Sequence, residues 1–506
     1  MSVSQHKALD WTPILVGWGQ VVEREAGDAS PMALAGQAAA MALADCGGSE
    51  VARAIDTICV TRLFSDTGKL WACKWGRSDN PPQSVAQHLG ATPQHRIYTE
   101  VGGDQPQSHL IEFAADIANG DRDVVLLAGA EALKNQRYAE REQRTLDWNQ
   151  SFAEPLDDRG VGPSVATTQE LQNGLHNVAY YYSLIEQAQR HKAGHSIEQH
   201  RQSTARLLAS LSAVAADNPY AQFNGQQTAE NILAAAPMTH LYTKRMIAQD
   251  GVNQGAALLL CSIAKARALG IPESNWVYLH GLAKGQELEV SRRPDPARSP
   301  VAEQVADRAL DIAGLSVDAV NTIDVYSCFP CAVTAVAGHL GLPLDGSRAL
   351  TTTGGLPYFG GAGNNYSMHA LAEAVRHARL NPQGFHMVTC NGGVLSKHAV
   401  GIYSCQPSNV DWSRVDTTVE IGEADARNIC ENPGEGTIAS YTIHFDRDGS
   451  GHAIILADTH AGERFVAVTA KENIATPQQM LDKEPSGAKV SVDEPIDGRL
   501  EFTLLS

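Results

Sequence analysis

"AIDTICVTRLFS" (residues 54–65) and "AVNTIDVYSCFP" (residues 319–330) carry one apolar pattern in two distant parts of this 506-residue chain. Each stretch follows a segment of helical periodicity that begins with a proline, "PMALAGQAAAMALADCGG" from Pro31 and "PVAEQVADRALDIAGL" from Pro300. Proline is favoured in the first turn of a helix. The pattern therefore predicts a helix followed by a short buried strand, and it predicts this pair twice.

A second pair of segments keeps the same order. "SHLIEFAADIANGDRDVVLLAGAEAL" from Ser108 parallels "SMHALAEAVRHARLNPQGFHMVTCNGG" from Ser367 at nearly the same offset. Both halves alternate helical periodicity with short β-branched strands, which is typical of helices packed on a mainly parallel sheet. We therefore predict an α/β fold with a duplicated core; chance similarity between alternating segments is the alternative.

Changes in composition divide the chain into four predicted segments. Residues 1–135 and 251–410 hold the two halves, and residues 136–250 form an insertion of mostly helical pattern that we interpret as a lid or loop domain. Residues 411–506 contain short strands between turns and predict a small all-β domain. This last segment has 8 Lys or Arg against 18 Asp or Glu, so it is a poor candidate for binding single-stranded nucleic acid.

The overall composition is that of a globular protein, with 43% hydrophobic and 19% charged residues and a formal net charge of -18. No apolar run reaches the ~18 residues of a membrane span, and the N-terminus lacks an export signature. The nine cysteines have no disulfide-framework spacing. We expect a soluble cytoplasmic protein that binds neither a membrane nor nucleic acid.

The glycine-rich stretch "TEVGGDQPQSHL" (residues 99–110) leads from a predicted strand into a predicted helix, and "YFGGAGNNYSMHAL" (residues 358–371) is its counterpart. Helix N-termini of this kind bind anions and stabilise developing negative charge. Neither stretch matches a P-loop or a dinucleotide fingerprint. A nucleophile elbow needs Ser or Cys at the tight turn, where Gly103 stands. The remaining interpretation is a nucleophile turn from which the nucleophile is missing.

Five motifs resemble, in their order and spacing, those of the thiolase superfamily, in particular the thiolase-like proteins (type 1) with an additional C-terminal domain. They are "DVVLLAGAEAL" (123–133), "DGVNQGAALLLCS" (250–262), "YSCF" (326–329), "GGLPYFGGAGNN" (354–365) and "TCNGG" (389–393). The resemblance implies a layered core of helices and two mixed sheets, with an inserted helical loop domain. It also implies a small C-terminal all-β domain, for which an OB-like fold is one candidate.

The resemblance also assigns positions in the site. The superfamily's nucleophilic cysteine corresponds to Gly103, and the loop that helps to build its oxyanion hole corresponds to the stretch from Tyr326 to Phe329, which includes Cys328. The superfamily's Gly-His-Pro corresponds to Gly360-Gly361-Ala362, so its histidine is replaced by Gly361. Covalent acyl transfer through a cysteine at position 103 is therefore excluded.

The proton-shuttling Cys-x-Gly of the superfamily is retained as Cys390-Asn391-Gly392, and its coenzyme A-contacting serine corresponds to Asp250. We expect Cys390 to be a thiolate base whose pKa is lowered by backbone N–H groups; a buried inert cysteine is the alternative. Asn364 and His369 are further polar candidates, although a lone helical histidine is more often structural.

Several other groups are of a type that could take part in catalysis or metal binding. Asp104 and Glu100 could act as bases, but carboxylates at a helix N-terminus are usually caps. The tyrosines at 180–182 are expected to pack rather than bind; contact with an adenine or an acyl chain is the alternative. Cys328 and Cys331 form a single C-x-x-C without a second ligand pair, so no metal is expected.

The resemblance implies a thiolase-like protein of the acyltransferase superfamily that acts on an acyl-CoA thioester at a carbon–carbon bond, by Claisen, retro-Claisen or retro-aldol chemistry. For a retro-aldol reaction, Tyr326 is the predicted base and the region of Gly361 or Cys390 the predicted oxyanion support. A non-catalytic acyl-CoA-binding or scaffold protein is the alternative. We expect no tightly bound cofactor, a coenzyme A thioester as substrate or ligand, and a monomer or homodimer.

Overall fold

The structure is a computed structural model that describes residues 10–446 and 450–505. The strands in these ranges are β1 (Pro13–Val22), β2 (Thr57–Val60), β3 (His95–Tyr98), β4 (Val124–Ala132), β5 (Asp157–Asp158), β6 (Asn253–Ser262), β7 (Val277–Gln286), β8 (Thr322–Asp324), β9 (His386–Gly392), β10 (Lys397–Ser404), β11 (Thr418–Glu420), β12 (Glu435–Phe445), β13 (Gly451–Asp458), β14 (Arg464–Val468), β15 (Lys489–Val492) and β16 (Phe502–Leu504).

The α-helices in the same ranges are α1 (Pro31–Cys46), α2 (Ser49–Ala54), α3 (Pro81–Leu89), α4 (Gln105–Asn119), α5 (Leu133–Arg141), α6 (Thr168–Gln172), α7 (Val178–Lys192), α8 (Ile197–Asp217), α9 (Ala229–Leu233), α10 (Ile263–Ala268), α11 (Pro300–Ala313), α12 (Pro330–His339), α13 (Tyr366–Leu380) and α14 (Ala475–Asp482). The predicted helices that begin at Pro31 and Pro300 are thus α1 and α11, and each is followed by the predicted buried strand.

The two halves share one strand arrangement. In the first half the order β2-β4-β6-β1 contains one parallel pair followed by two antiparallel pairs. In the second half the order β8-β9-β10-β7 contains the same sequence of parallel and antiparallel pairs. Chance similarity would not reproduce both order and direction, so the predicted duplication is confirmed.

The halves meet where β1 pairs with β7 through Ile14–Tyr278 and Leu15–Val277. This pairing joins the strands of both halves into one sheet of eleven strands, with β11 added to β7. The expected α/β fold is confirmed, although its two mixed sheets are joined at this edge rather than separate.

Helices α4 and α13 share an apolar layer to which both halves of the sheet contribute. Leu110 and Phe113 of α4 and Leu371 of α13 are fully buried there with Leu15 of β1 and Leu279 of β7. At about 25 cal/mol for each Å² of apolar surface removed from water, this layer is a large stabilising contribution. The N-terminal ends of α4 and α13 also meet, since the Ser367 hydroxyl in the first turn of α13 donates to the backbone oxygen of Gly103, just before α4.

The insertion is helical, as its pattern predicts. Helix α7 begins after Asn177, whose side chain accepts a hydrogen bond from the N–H of Ala179, and α8 ends at Asp217 before Asn218 and Pro219. Helix α7 also packs against β12 of the C-terminal sheet, where the Ser440 hydroxyl donates to the carbonyl of Leu184 at 2.6 Å. The insertion therefore lies between the duplicated core and the C-terminal strands.

The C-terminal strands form an antiparallel sheet in the order β14-β13-β12-β15-β16. A parallel bridge between Val468 and Glu501 brings the two ends of this sheet together, and α14 lies between β14 and β15 in the chain. Across residues 10–446 and 450–505, none of the helices combines the length and the apolar character that crossing a bilayer requires.

Candidate functional site

The turn from β3 into α4 places Gly103 against residues from the second half of the chain. A Cβ atom at position 103 would overlap the hydroxyl of Tyr326 and lie 2.6 Å from the backbone oxygen of Asn391. Real Cβ atoms do not approach other atoms so closely, so only glycine fits here without displacing its neighbours. The space for a nucleophilic side chain is filled by the Tyr326 phenol.

Tyr326 is held by the segment between β8 and α12. Its backbone N–H donates to the Thr389 hydroxyl at 3.1 Å, and its ring packs edge-on against Tyr366 with centroids 5.4 Å apart. Burial is the main cause that raises the pKa of Tyr326 well above its usual value, with Cys328 as the next cause. At neutral pH the side chain is therefore a phenol that can donate a hydrogen bond.

A cleft of about 250 Å³ lies in front of this turn. Most of the residues that the sequence singles out line it, namely Tyr326, Cys328, Asn364, Gly103, Gly361, Gly392 and Asp250. The remaining wall is largely apolar and comes from Phe64, Leu133, Val178, Ala179, Ile247, Ala248, Phe329 and Leu356. An apolar cleft with a few convergent polar groups is the usual form of a small-molecule site.

Cys390 does not line this cleft, because it lies on the other face of β9, among the residues packed against α4 and α13. Burial raises the pKa of its thiol far above the ordinary value, and a hydrogen bond with Ser367 only partly opposes this. The prediction of a lowered pKa is wrong, since the thiol is 2% exposed and Asp104 and Asp324 add negative charge nearby. The thiol is protonated at neutral pH.

His369 also lies away from the cleft. Its Nδ1 faces the side-chain oxygen of Gln20 at 2.7 Å, and its ring packs against Phe359 with centroids 5.1 Å apart. Burial lowers its pKa to about 3, so the ring is neutral and Nδ1 carries the proton that it donates. The structural interpretation of this histidine fits its position, and a direct role in the site does not.

Two other predicted residues reach the cleft but are already engaged. The N–H of Gly361 donates to the backbone oxygen of Gln249 at 2.8 Å, so it is not free to support an oxyanion. The carboxylate of Asp250 accepts hydrogen bonds from Nη1 and Nη2 of Arg137, at 2.8 and 2.5 Å. The Asp250 carboxylate is therefore held in an ion pair that is about half exposed.

Asp104 is not the helix cap that its position suggests, since its side chain accepts no hydrogen bond from the first N–H groups of α4. Instead its Oδ2 accepts from Ser108 and from the Gln105 side chain, both at 3.0 Å. Burial raises its pKa, and the Lys397 ammonium opposes this. Glu100 lies 3.5 Å from the same ammonium. Neither carboxylate lines the cleft.

Asn391 and Tyr182 also line the cleft, although the sequence predicts no role for Asn391 and only packing for Tyr182. The Asn391 amide donates to the Tyr182 hydroxyl at 2.8 Å and contacts the Cys328 sulfur at 3.6 Å. The Tyr182 ring stacks on Phe329 at 4.1 Å, so this tyrosine both packs and lines the site. Strand alternation is the signal that was missed: if Cys390 faces the helices, Asn391 faces the cleft.

The polar groups of the cleft are mostly uncharged. Burial raises the pKa of the Cys328 thiol to about 12, although hydrogen bonds with Tyr182 and Asn391 oppose it. The side-chain oxygen of Asn391 is buried and has no hydrogen-bond partner among the described residues. A buried acceptor of this kind is costly unless a ligand hydroxyl or amide satisfies it. The arrangement therefore suits a ligand that brings a hydrogen-bond donor.

The C-terminal residues 419–497 match the family model described as the additional C-terminal domain of thiolase-like protein type 1. Over 98% of this chain and 100% of the other, the structure is similar to that of a monomeric SCP2-thiolase-like protein type 1 from Mycobacterium smegmatis, with 36% identity and a TM-score of 0.81.

More distant similarities concern the core. The Ltp2–ChsH2(DUF35) aldolase is 19% identical with a TM-score of 0.57, over 79% of this chain and 100% of that one, which is a likeness in fold. An acetyl-CoA acetyltransferase from Methanocaldococcus jannaschii is 22% identical over 251 residues, 48% of this chain and 56% of the relative. The chain therefore matches little more than half the length of that relative.

Proposed function

Because the chain belongs to the type 1 thiolase-like proteins that carry an additional C-terminal domain, we propose that its cleft binds an acyl-CoA thioester and cleaves a carbon–carbon bond without an acyl-enzyme. The observation that carries this proposal is the place of Tyr326, whose hydroxyl fills the space beside Gly103 that a nucleophilic side chain would need. The reaction class that fits best is the retro-aldol cleavage of a 3-hydroxyacyl-CoA.

The thiols near the turn offer no replacement nucleophile. Cys328 has a pKa of about 12 because it is buried, and Cys390 is buried on the far face of β9 with its pKa raised further. The thiolate is the reactive form of cysteine, so neither thiol attacks a thioester readily at neutral pH. A reaction that proceeds without a covalent intermediate avoids this difficulty.

Two groups are suited to hold a 3-hydroxyacyl thioester. The N–H of Gly103 stands at the N-terminal end of the 15-residue helix α4 and makes no hydrogen bond to a described residue. It can stabilise negative charge on the thioester oxygen, aided by the helix dipole. The unpartnered oxygen of Asn391 can accept a hydrogen bond from the substrate's 3-hydroxyl.

The proposed cleavage of the 3-hydroxyacyl thioester needs no co-reactant. The 3-hydroxyl loses its proton to the Tyr326 phenolate, its oxygen forms a carbonyl, and the bond between C2 and C3 breaks. The electron pair of that bond passes into the thioester enolate, which takes a proton at C2 from the Tyr326 hydroxyl and so regenerates the phenolate. Because burial makes the phenolate of Tyr326 rare at pH 7, we expect a slow reaction whose rate rises with pH beyond 10.

The surroundings of the cleft are suited to the polyanionic end of coenzyme A despite the net charge of -18. Lys134 and Arg137 follow the lining residue Leu133 on α5, and Lys244 and Arg245 precede the lining residue Ile247. Positive groups near a cleft attract phosphates. Arg137 is paired with Asp250, and Lys134 donates to the backbone oxygen of Arg24. The exposed Lys244 and Arg245 are therefore the positive groups that support a coenzyme A thioester as the ligand.

The C-terminal strands support an OB-like domain. We propose a five-stranded Greek-key barrel for this domain, supported by the strand order, the parallel bridge between Val468 and Glu501, and the position of α14 between the third and fourth strands. We propose that this domain helps to hold the ligand in place, since it packs on α7 of the insertion, which lines the cleft.

The test is the rate at which the Tyr326→Phe variant releases an aldehyde or ketone from 3-hydroxyacyl-CoA thioesters. We expect at least a hundredfold loss in kcat with little change in KM, because the phenyl ring keeps the packing against Tyr366 and removes only the proton acceptor. The matched control is Tyr366→Phe, which removes a buried hydroxyl outside the cleft. Cleavage by Tyr326→Phe at the wild-type rate contradicts the proposal.

A second function, acyl-CoA binding without turnover, is favoured by the raised pKa of every cysteine and tyrosine in the cleft. With these groups neutral at pH 7, the site resembles a receptor more than a base-catalysed active site. This function predicts thioester affinity equal in wild type and Tyr326→Phe, with no product at any pH up to 10.

A further inference from the structure

A second, polar cavity of about 480 Å³ lies where the two halves of the large sheet separate. Strand β1 pairs with one end of β7, at Val277 and Tyr278, whereas β11 pairs with the other end, at residues 284–286. That other end lines the cavity together with the face of α4 that carries His109 and Glu112. No described residue lines both this cavity and the cleft proposed for the thioester. Its volume lies in the range of ~300–1,000 Å³ that small-molecule sites occupy.

Charged side chains of both signs line the polar cavity. They are Glu100, Asp104, Glu112 and Glu420 on the acidic side and Arg159, Lys284 and Lys397 on the basic side. Most of them are already paired, since Arg159 contacts Glu112 at 3.0 Å and Lys397 lies 3.5 Å from Glu100. A ligand with charge of one sign only would face like charges here, which is unfavourable. The surroundings therefore favour a small ligand that carries both signs.

Lys284 is the basic side chain of this set that a ligand can use. It is half-buried, and its ammonium makes no hydrogen bond or ion pair with another described residue. Burial is the main cause that lowers the pKa of His109, and the positive charge of Lys284 adds to it, so the ammonium lies near this ring. A lysine ammonium in such a place can form a charge-assisted hydrogen bond with a carboxylate.

His109 offers the complementary group. Its side chain is buried, and Nδ1 donates to the backbone oxygen of Gln105 at 3.0 Å. The lowered pKa keeps the ring neutral, so Nε2 is an acceptor, and no described residue donates to it. Nε2 lies 4.0 Å from Oε2 of Glu112, a second lining residue, and therefore faces the cavity. A buried acceptor without a partner is costly, and a donor from a ligand would remove that cost.

We infer that the polar cavity binds a small α-amino acid as a zwitterion, with its carboxylate on the Lys284 ammonium and its own ammonium on Nε2 of His109. These two protein groups are neighbours, so the two charges of the ligand have to be neighbours as well, as they are on a single α carbon. The half-buried Val419 and Ile421 are the larger apolar side chains of the lining and favour an aliphatic side chain on the ligand. This binding function is additional to the thioester chemistry proposed for the cleft.

The test is titration calorimetry on the full-length protein with L-leucine and with two analogues that each lack one charge, 4-methylpentanoate and 3-methylbutylamine. We expect L-leucine to bind roughly tenfold or more tightly than either analogue, because only the zwitterion satisfies both groups. Lys284→Met should weaken the binding of L-leucine roughly tenfold without weakening that of 3-methylbutylamine, since only the partner of the carboxylate is lost. His109→Phe should weaken the binding of both. Lys284→Met alone decides the outcome if His109→Phe does not fold.

Lys265→Met is the matched control, since Lys265 is also half-buried and lines neither the polar cavity nor the cleft. It should leave the affinity for L-leucine unchanged. The inference is overturned by equal binding of L-leucine and either analogue, by an equal loss in both methionine variants, or by the absence of L-leucine binding at millimolar concentration. Each of these results leaves the proposed function intact, because that function is tested by thioester cleavage in the cleft.

Discussion

The hydroxyl of Tyr326 stands where the Cβ atom of a side chain at residue 103 would have to lie. The two positions are far apart in the chain, yet the N-terminus of α4 and the segment before α12 meet here. Glycine at 103 and tyrosine at 326 are therefore one arrangement: the first makes the room that the second fills. This pairing separates the site from one built on a nucleophile.

The pairing of Gly103 with Tyr326 predicts non-additive effects on stability. We expect Gly103→Ala to lower the free energy of unfolding by about 1–3 kcal/mol, because the new methyl group overlaps the hydroxyl and approaches the Asn391 backbone oxygen. In the double variant with Tyr326→Phe the loss should be smaller than the sum of the single losses. Urea denaturation of wild type, the two single variants and the double variant gives the free energy of unfolding of each protein. Strictly additive losses in the double variant contradict the arrangement.

Cys390 should be chemically silent in the folded protein. Its thiol is 2% exposed and its pKa is raised by burial, so we expect no alkylation by iodoacetamide at pH 8 until the protein unfolds. Cys430, which is partly exposed, is the internal comparison and should react first. Peptide mass spectrometry locates the label. Rapid labelling of Cys390 in the native state would restore the thiolate base that the sequence suggests.

The buried carboxyl of Glu131 should make the free energy of unfolding depend on pH. Its carboxyl is buried beside Gly363 and accepts a hydrogen bond from the N–H of Phe64 at 2.6 Å, and burial raises its pKa from 4.5 to about 8. A folded-state pKa above the unfolded value means that this group favours the folded state most below pH 4.5. Its contribution falls by about 1.4 kcal/mol per pH unit as the pH rises from 4.5 to 8.

The Glu131→Gln variant should remove this dependence. We expect it to be more stable than wild type by about 2–4 kcal/mol at pH 8 and by little at pH 4.5. Melting temperatures across this range give the comparison, with Glu142→Gln on the exposed surface as control. A constant difference between variant and wild type at all pH values is inconsistent with a raised pKa.

The ion pair between Asp250 and Arg137 should restrain coenzyme A binding. We expect Asp250→Ser to tighten the binding of free coenzyme A by about three- to tenfold at low salt, because the guanidinium becomes available to a phosphate. The gain should shrink as salt is added. Calorimetry on Asp250→Ser with and without Arg137→Gln separates this effect from a general change in charge, since the double variant should show no gain.

The sequence predicts the duplicated core well because its signals are local. Prolines mark the starts of α1 and α11, apolar patterns mark β2 and β8, and the strand order then follows from keeping the two halves alike. The glycine at 103 could likewise be located from the turn between β3 and α4. These features depend on neighbours in the chain and need no knowledge of the packing.

The chemical state of the site could not be predicted in the same way. The environment of Cys390 depends on which face of β9 it occupies, because burial on that face raises its pKa where the motif alone suggests a lowered one, and the hydrogen bond with Ser367 of α13 only partly opposes the rise. Tyr182 reaches the cleft only because the insertion folds back onto Asn391, 209 residues away in the chain. Likewise, the ion pair at Asp250 depends on a partner, Arg137, from another element.

The most direct test of the account is mass spectrometry of both protein and products after incubation with 3-hydroxyacyl-CoA and 3-oxoacyl-CoA thioesters, with and without free coenzyme A. We expect release of an aldehyde or ketone from 3-hydroxy substrates, faster at higher pH, without added coenzyme A and with no mass added to the protein. An acyl adduct on a cysteine, with cleavage of 3-oxo substrates only when coenzyme A is present, would contradict it.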